Sequence, residues 1–104
     1  MGEILNLVEN SKAINSNLFS RQRILILKSL ESLDQEGAVF RQLKAFLELD
    51  DGSLASSLKM LEEIGFIKSK KIKLENKNMT QYFITNHGKE EFNIFKKWLG
   101  EVIE

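Results

Sequence analysis

At 104 residues, with 42% apolar and 29% charged side chains, the chain has the size and composition of one domain able to bury its own core. The absence of cysteine excludes disulfides and thiolate metal sites, and a formal net charge of zero offers no global attraction to nucleic acid. No apolar run approaches the roughly 20 residues of a membrane span, and the opening MGEILNLVENSKAINSNLF lacks the basic region and unbroken apolar core of a secretory leader, so a cytoplasmic protein is expected.

Leu5 and Val8, with Ile14 beyond them, predict a first helix that ends near Asn15-Ser16-Asn17. Ser20 is placed to cap a second helix, RQRILILKSLESL, whose Ile24, Leu27, Leu30 and Leu33 share a face. A loop over 34–37 leads to Ala38-Val39-Phe40, which reads either as a short strand or as the entry to the next helix. Leu43 and Leu47 mark that short helix, and Leu49-Asp50-Asp51-Gly52 is a turn whose aspartates can cap another. In the helix that follows, Leu54, Leu58 and Leu61 form the inward stripe, and Gly65 suits the left-handed position that ends it, with Phe66 folding back.

After Gly65 the period changes to that of a strand. Ile72 and Leu74 alternate with lysines, Tyr82 and Ile84 alternate with Gln81 and Phe83, and Glu75-Asn76-Lys77-Asn78 is a suitable hairpin tip. Because Ile67 and Ile72 have opposite parity, a bulge or bend is expected near Lys70-Lys71. Thr85 or Asn86 then caps a last helix that runs to the end of the chain.

Zero net charge conceals a strong local asymmetry. Residues 66–80 carry five lysines (Lys68, Lys70, Lys71, Lys73 and Lys77) against Glu75 alone, a local net of +4, so the remainder totals −4. A binding surface responds to the local field rather than the sum. Within the helix before this stretch, steps of about 100° per residue place Ser56, Lys59 and Glu63 opposite the leucine stripe, with Gly52, Ser53 and Met60 nearby and Ser57 beside the stripe. Small residues let a helix approach a major groove closely, and hydroxyls contact bases or phosphates.

Helix, helix, helix-turn-helix, hairpin, helix is the order of a winged helix-turn-helix. The residues carrying a closer match are Arg23-Ile24-Leu25, Phe40, Leu43, Leu47 and Leu49, then Gly52, Leu54, Leu58, Leu61-Glu62, Gly65-Phe66-Ile67, and finally Tyr82, Ile84-Thr85 and Gly88. On these the chain resembles the small winged-helix transcriptional regulators related to the ArsR and MarR groups, and most of all their compact archaeal-type members. The resemblance spans roughly residues 20–92 and implies a mainly α fold with a small β-hairpin (α+β). By length the chain is read as one domain over residues 1–104. An N-terminal helix would occupy 1–19 and the winged-helix core 20–85, with a recognition helix at about 51–64 and a wing at about 66–85; a C-terminal dimerisation helix would occupy 86–104.

What the resemblance implies is double-stranded DNA as partner. The third core helix would enter the major groove through Ser53, Ser56, Ser57 and Lys59, and the wing would grip phosphate through Lys68, Lys70, Lys71, Lys73 and Lys77. Asp50, Asp51, Glu62 and Glu63 make that helix acidic, and it has no Arg, Asn or Gln for bidentate base readout. Contacts dominated by phosphate, supplemented by DNA shape, are therefore expected. The bland readings are solvated serines and a lysine-protected sheet edge.

The last helix is too apolar to be a simple cover. Phe92, Phe95, Leu99 and Val102 follow alternating spacings of three and four, Trp98 and Ile94 widen the arc, and Leu5 and Val8 add apolar surface on the first helix. We read Leu5, Val8, Phe92, Phe95, Trp98, Leu99 and Val102 as a homodimer interface, which would set two recognition helices about 34–36 Å apart. His87 is the only histidine, the adjacent acids at 62–63 and 90–91 diverge on helix faces, and no glycine-rich phosphate loop is present. No enzyme, metal or cofactor is therefore expected, and a small apolar effector has no locatable site. The reading is a dimeric DNA-binding regulator acting as a repressor; the alternative is a winged-helix protein-interaction module that binds no DNA.

Overall fold

The computed structural model describes residues 2–104. Its elements run α1 (Gly2–Ser11), α2 (Arg21–Leu33), β1 (Ala38–Val39), α3 (Phe40–Leu47), α4 (Asp51–Glu63), β2 (Ile67–Leu74), β3 (Lys77–Ile84) and α5 (Asn86–Ile103), with single 3-10 turns at Ser16–Leu18 and Asp34–Glu36. The strands form an antiparallel sheet in the order β1-β3-β2.

Local chemistry sets the helix ends. Ser20 Oγ accepts from the Arg23 amide at the start of α2, and Asp50 Oδ1 accepts from the Ser53 amide across 2.7 Å at the start of α4. Gly65, at φ +82°, ends α4: its amide donates to Glu62 O and the Phe66 amide to Leu61 O, satisfying carbonyls the helix leaves open. Thr85 is the cap of α5. Its Oγ1 accepts from the Gly88 amide and donates to the Gly65 carbonyl, so one hydroxyl joins the end of α4 to the start of α5.

The core forms where α2, α4 and the first half of α5 meet the base of the hairpin. Leu27 and Leu30 of α2, Leu54, Leu58 and Leu61 of α4, and Phe66, Phe92 and Phe95 are all buried in one cluster. Burying each such side chain contributes about 1.5–3 kcal/mol relative to leaving it in water.

The structure decides one alternative that the sequence reading left open and differs from it in two details. Residues 38–39 do form a strand, which pairs Ala38 with Tyr82 and Val39 with Gln81 and makes the sheet three-stranded. No bulge interrupts the hairpin: the register runs unbroken from Ile67↔Ile84 to Leu74↔Lys77. The opposite parity of Ile67 and Ile72 is met another way. Ile67 faces the core, whereas Ile72 lies on the other face, lining a hollow with Leu33, Phe46 and Leu74. The tip is also tighter than expected, since Glu75 (φ 51°) and Asn76 (φ 64°) alone make a two-residue turn of the primed type that matches strand twist.

Candidate nucleic-acid interface

Helices α3 and α4 form the helix-turn-helix, and Lys44 Nζ on the first pairs with Asp51 on the second across 2.8 Å. Part of the acidity at the start of α4 is thus balanced locally. Asp50 is occupied as well: the Ser53 backbone amide and then the Ser53 hydroxyl stabilise its carboxylate and lower its pKa. Around α4 the exposed positions are Asp51, Gly52, Ala55, Ser56, Lys59, Glu62 and Glu63. Gly52, Ala55, Ser56 and Lys59 lie within about one 100° sector, a narrow and mostly small face.

Ser53 stands at the margin of this face, half-exposed, with its Oγ 3.1 Å from Asp50 Oδ2. Ser57 is a correction. It is buried, 7% exposed, in the same layer as Leu54, Leu58 and Leu61, and offers no hydroxyl to a groove. Its angular position lies about 40° beyond Leu61 at the edge of the stripe, and its small size lets α4 pack closely there.

The register sorts the lysines of the wing. Direct cross-strand partners share a face, so Ser69, Lys71 and Lys73 lie with Tyr82, Thr80 and Asn78, while Lys68, Lys70, Ile72 and Leu74 lie with Phe83, Gln81, Met79 and Lys77. Which face meets α4 is fixed by a hydrogen bond, from the Ser69 hydroxyl to Glu62 Oε2 at 2.6 Å. Tyr82, opposite Ser69, senses the same acid: burial pushes its phenol pKa up, and the Glu62 carboxylate adds to the shift.

Lys71 and Lys73 therefore share a side with the exposed face of α4, whereas Lys68 and Lys70 are turned to the opposite face, where Lys68 lines a hollow with Gln35 and Phe83. This corrects the expectation of a single lysine cluster: alternation along a strand divides neighbouring lysines between two faces. Lys77 adjoins the tip, one residue past the turn.

Arg41 is a residue that sequence reasoning does not single out. It projects from the first turn of α3, exposed, and lines one hollow of about 350 Å³ with Asn78, Thr80 and Tyr82 and another with Ile72, Leu74 and Gln81 of the opposite face. The available signal is an arginine just inside a predicted helix, but only the pairing of β1 with β3 brings it beside the wing.

At the other end of the domain, α1 packs on α5. Phe92 (1% exposed) and Phe95 (2%) leave the expected dimer surface, because both are consumed by the core of their own domain. Spacing alone does not separate core from interface, since both require a stripe at three and four. Trp98 is half-buried, its Nε1 donating to the Leu7 carbonyl oxygen. Leu5, Val8, Leu99 and Val102 remain exposed, together with Ile4, Ile94 and Ile103. No helix among the described residues is long and apolar enough to cross a membrane.

A helix-turn-helix followed by a β-hairpin wing and flanked by two terminal helices defines a winged helix-turn-helix protein, the architecture of MarR-family transcriptional regulators. The chain belongs to the winged helix DNA-binding domain family, which it matches over residues 22–103. An uncharacterized protein of Methanocaldococcus jannaschii is 38% identical over 82 residues, 79% of this chain and 84% of that one. A transcriptional regulator homologue from Pyrococcus horikoshii OT3 superposes with a TM-score of 0.79 at 28% identity, over 99% of this chain and 95% of that one. The S. aureus MepR-DNA complex shares the fold, with a TM-score of 0.72 at 13% identity over 99% of this chain and 81% of that one.

Proposed function

We propose that the chain is a dimeric transcriptional regulator that binds duplex DNA, with α4 in a major groove and the hairpin on the neighbouring backbone, and that it represses by occluding its operator. One observation carries this reading. Lys71 and Lys73 of the wing share the strand face from which Ser69 bonds Glu62 of α4, the helix that exposes Ser56 and Lys59. A small-residue helix face beside paired ammonium groups suits a groove flanked by phosphate. MepR, which shares the fold, is seen in complex with DNA. Arg41 joins the set through its place beside Asn78 and Thr80.

The dimer rests on unburied apolar surface. Helix α1 buries no residue of its own, and Leu5, Val8, Leu99 and Val102 lie open at the same end of the domain. A second copy applied by a two-fold axis would cover them and duplicate the DNA-facing surface.

Salt titration of duplex binding tests the DNA reading. Affinity should fall steeply with salt, and Lys71→Gln/Lys73→Gln should lower the log–log slope by about 1.8 per wing, at roughly 0.9 for each phosphate no longer neutralised. Absence of binding at low salt would instead favour a protein-interaction module.

A further inference from the structure

We propose that Glu62 is the positioning residue of this interface: its carboxylate holds the wing at a fixed pitch to α4, and so sets where Lys71 and Lys73 meet the DNA backbone. The role rests on the DNA-binding reading above. An acid on a groove-facing helix is ordinarily a liability, since it repels phosphate. Here the carboxylate is committed elsewhere. Its Oε2 accepts from the Ser69 hydroxyl at 2.6 Å, the short length of a charge-assisted bond, and Tyr82 lies directly across the ladder from Ser69. Burial raises the Tyr82 pKa, and the Glu62 carboxylate adds to that rise.

Position makes the contact consequential. Ile67 and Ile84 form the last buried pair of the hairpin, and from Ser69 to Asn78 no residue is buried. Past the core the hairpin has one side-chain tie on each face. Gln81 Nε2 donates to the Glu36 carbonyl on the far face, and Ser69 donates to Glu62 on the near one. Among the described residues, only the second is a side-chain hydrogen bond between the wing and α4. At about 3.3 Å per residue, Lys71 and Lys73 stand roughly 7 and 13 Å beyond Ser69, so about 10° of slack there moves Lys73 by some 2 Å. A displacement of that size exceeds the tolerance of a hydrogen bond to phosphate.

The test compares Glu62→Gln, Glu62→Ala and Ser69→Ala with the wild-type chain. Both Glu62 variants lose the same charge, so relief of repulsion is common to them, but only glutamine keeps an acceptor for Ser69. Two readouts are taken: the salt slope on duplex DNA, and backbone NMR order parameters of residues 70–80 without DNA. Glu62→Gln, which keeps a weaker neutral acceptor, should stay closer to wild type than Glu62→Ala in both. Glu62→Ala and Ser69→Ala should lower the slope by up to about 1.8 per wing, and their wing order parameters should drop from about 0.85 toward 0.6. Equal slopes and order parameters for Glu62→Gln and Glu62→Ala, with wild type still binding, would overturn the positioning role alone. A wild-type chain that binds no duplex would overturn the DNA reading and the role with it, whatever the order parameters show.

Discussion

The indole Nε1 of Trp98 donates to the carbonyl oxygen of Leu7 across 2.9 Å, and Phe19 stands edge-on to the same indole with ring centroids 5.6 Å apart. This fastens α1 to α5, and it matters because α1 has no buried residue to hold it. Ten residues make too short a helix to be stable in water without such support. Trp98→Phe keeps the aromatic contact and removes the donor. It should cost about 1 kcal/mol, concentrated in α1, with faster amide exchange over residues 2–11 and unchanged exchange in α2 and α4. Unaltered exchange in α1 would show that the bond does not hold it.

The residues still open at this end separate the internal anchor from the proposed interface. Val8 is 51% exposed and Val102 is 44% exposed. Val8→Glu/Val102→Glu places a charge on each helix without disturbing the core. In sedimentation the wild-type chain should run at twice the monomer mass and the double variant at the monomer mass, while the far-ultraviolet spectrum stays the same. A wild-type chain that sediments as a monomer at micromolar concentration would remove the dimer from the proposal.

The helices were legible because their signals are local. Ser20, Asp50 and Gly65 announce their ends by side-chain chemistry or backbone freedom, and the leucines of α4 repeat at a helical period. Sidedness was not legible where it depends on partners. Ser57 lies at the edge of the stripe, where an angle alone leaves burial undecided, and Phe92 and Leu99 belong to one repeat although only the first is covered by the domain. The lysines show the same limit, because which strand face meets α4 is set by Glu62 and Ser69, seven residues apart in sequence and joined only in the fold.

That division of lysines makes a prediction of its own. Lys71 and Lys73 share the α4 side, whereas Lys68 and Lys70 share a face with Phe83 and Gln81. Net charge treats the two pairs alike; geometry does not. Lys71→Gln/Lys73→Gln should lower the salt slope by about 1.8 per wing, and Lys68→Gln/Lys70→Gln by less than about half of that. Equal reductions would mean that the wing meets DNA with both faces.

The cap of α4 predicts an acid dependence. Hydrogen bonds from the Ser53 amide and hydroxyl hold Asp50 below its ordinary pKa in the folded chain. A carboxylate whose folded pKa is depressed stabilises the fold above its unfolded pKa, and that contribution fades as pH falls through the lowered folded value. The loss should therefore appear below about pH 4. Asp50→Asn keeps a cap acceptor but does not titrate, so urea midpoints for this variant should fall less steeply than wild type between about pH 5 and pH 2. Parallel curves would show that other carboxylates dominate acid unfolding.

Gly88 and Gly100 lie on the same helix and should respond oppositely to one methyl group. A Cβ at Gly88 would fall 2.1 Å from the Phe66 carbonyl oxygen and 2.9 Å from its carbonyl carbon. Backbone at that point has little freedom, because the Phe66 oxygen accepts from the Thr85 amide and the Phe66 amide closes the end of α4. The first turn of α5 can seat against this corner only without a side chain, so Gly88→Ala must displace α5 from the core that Phe92 and Phe95 fill. We expect a cost of about 3 kcal/mol, the upper end for overpacking, and a melting temperature lower by roughly 10–20 °C for a domain of this size. A Cβ at Gly100 meets nothing within 4 Å, and there alanine should gain up to about 1 kcal/mol from helix propensity. Thermal melts of the two variants at equal concentration decide the matter: the same sign for both would mean that the junction of Gly88 with Phe66 is not what seats α5.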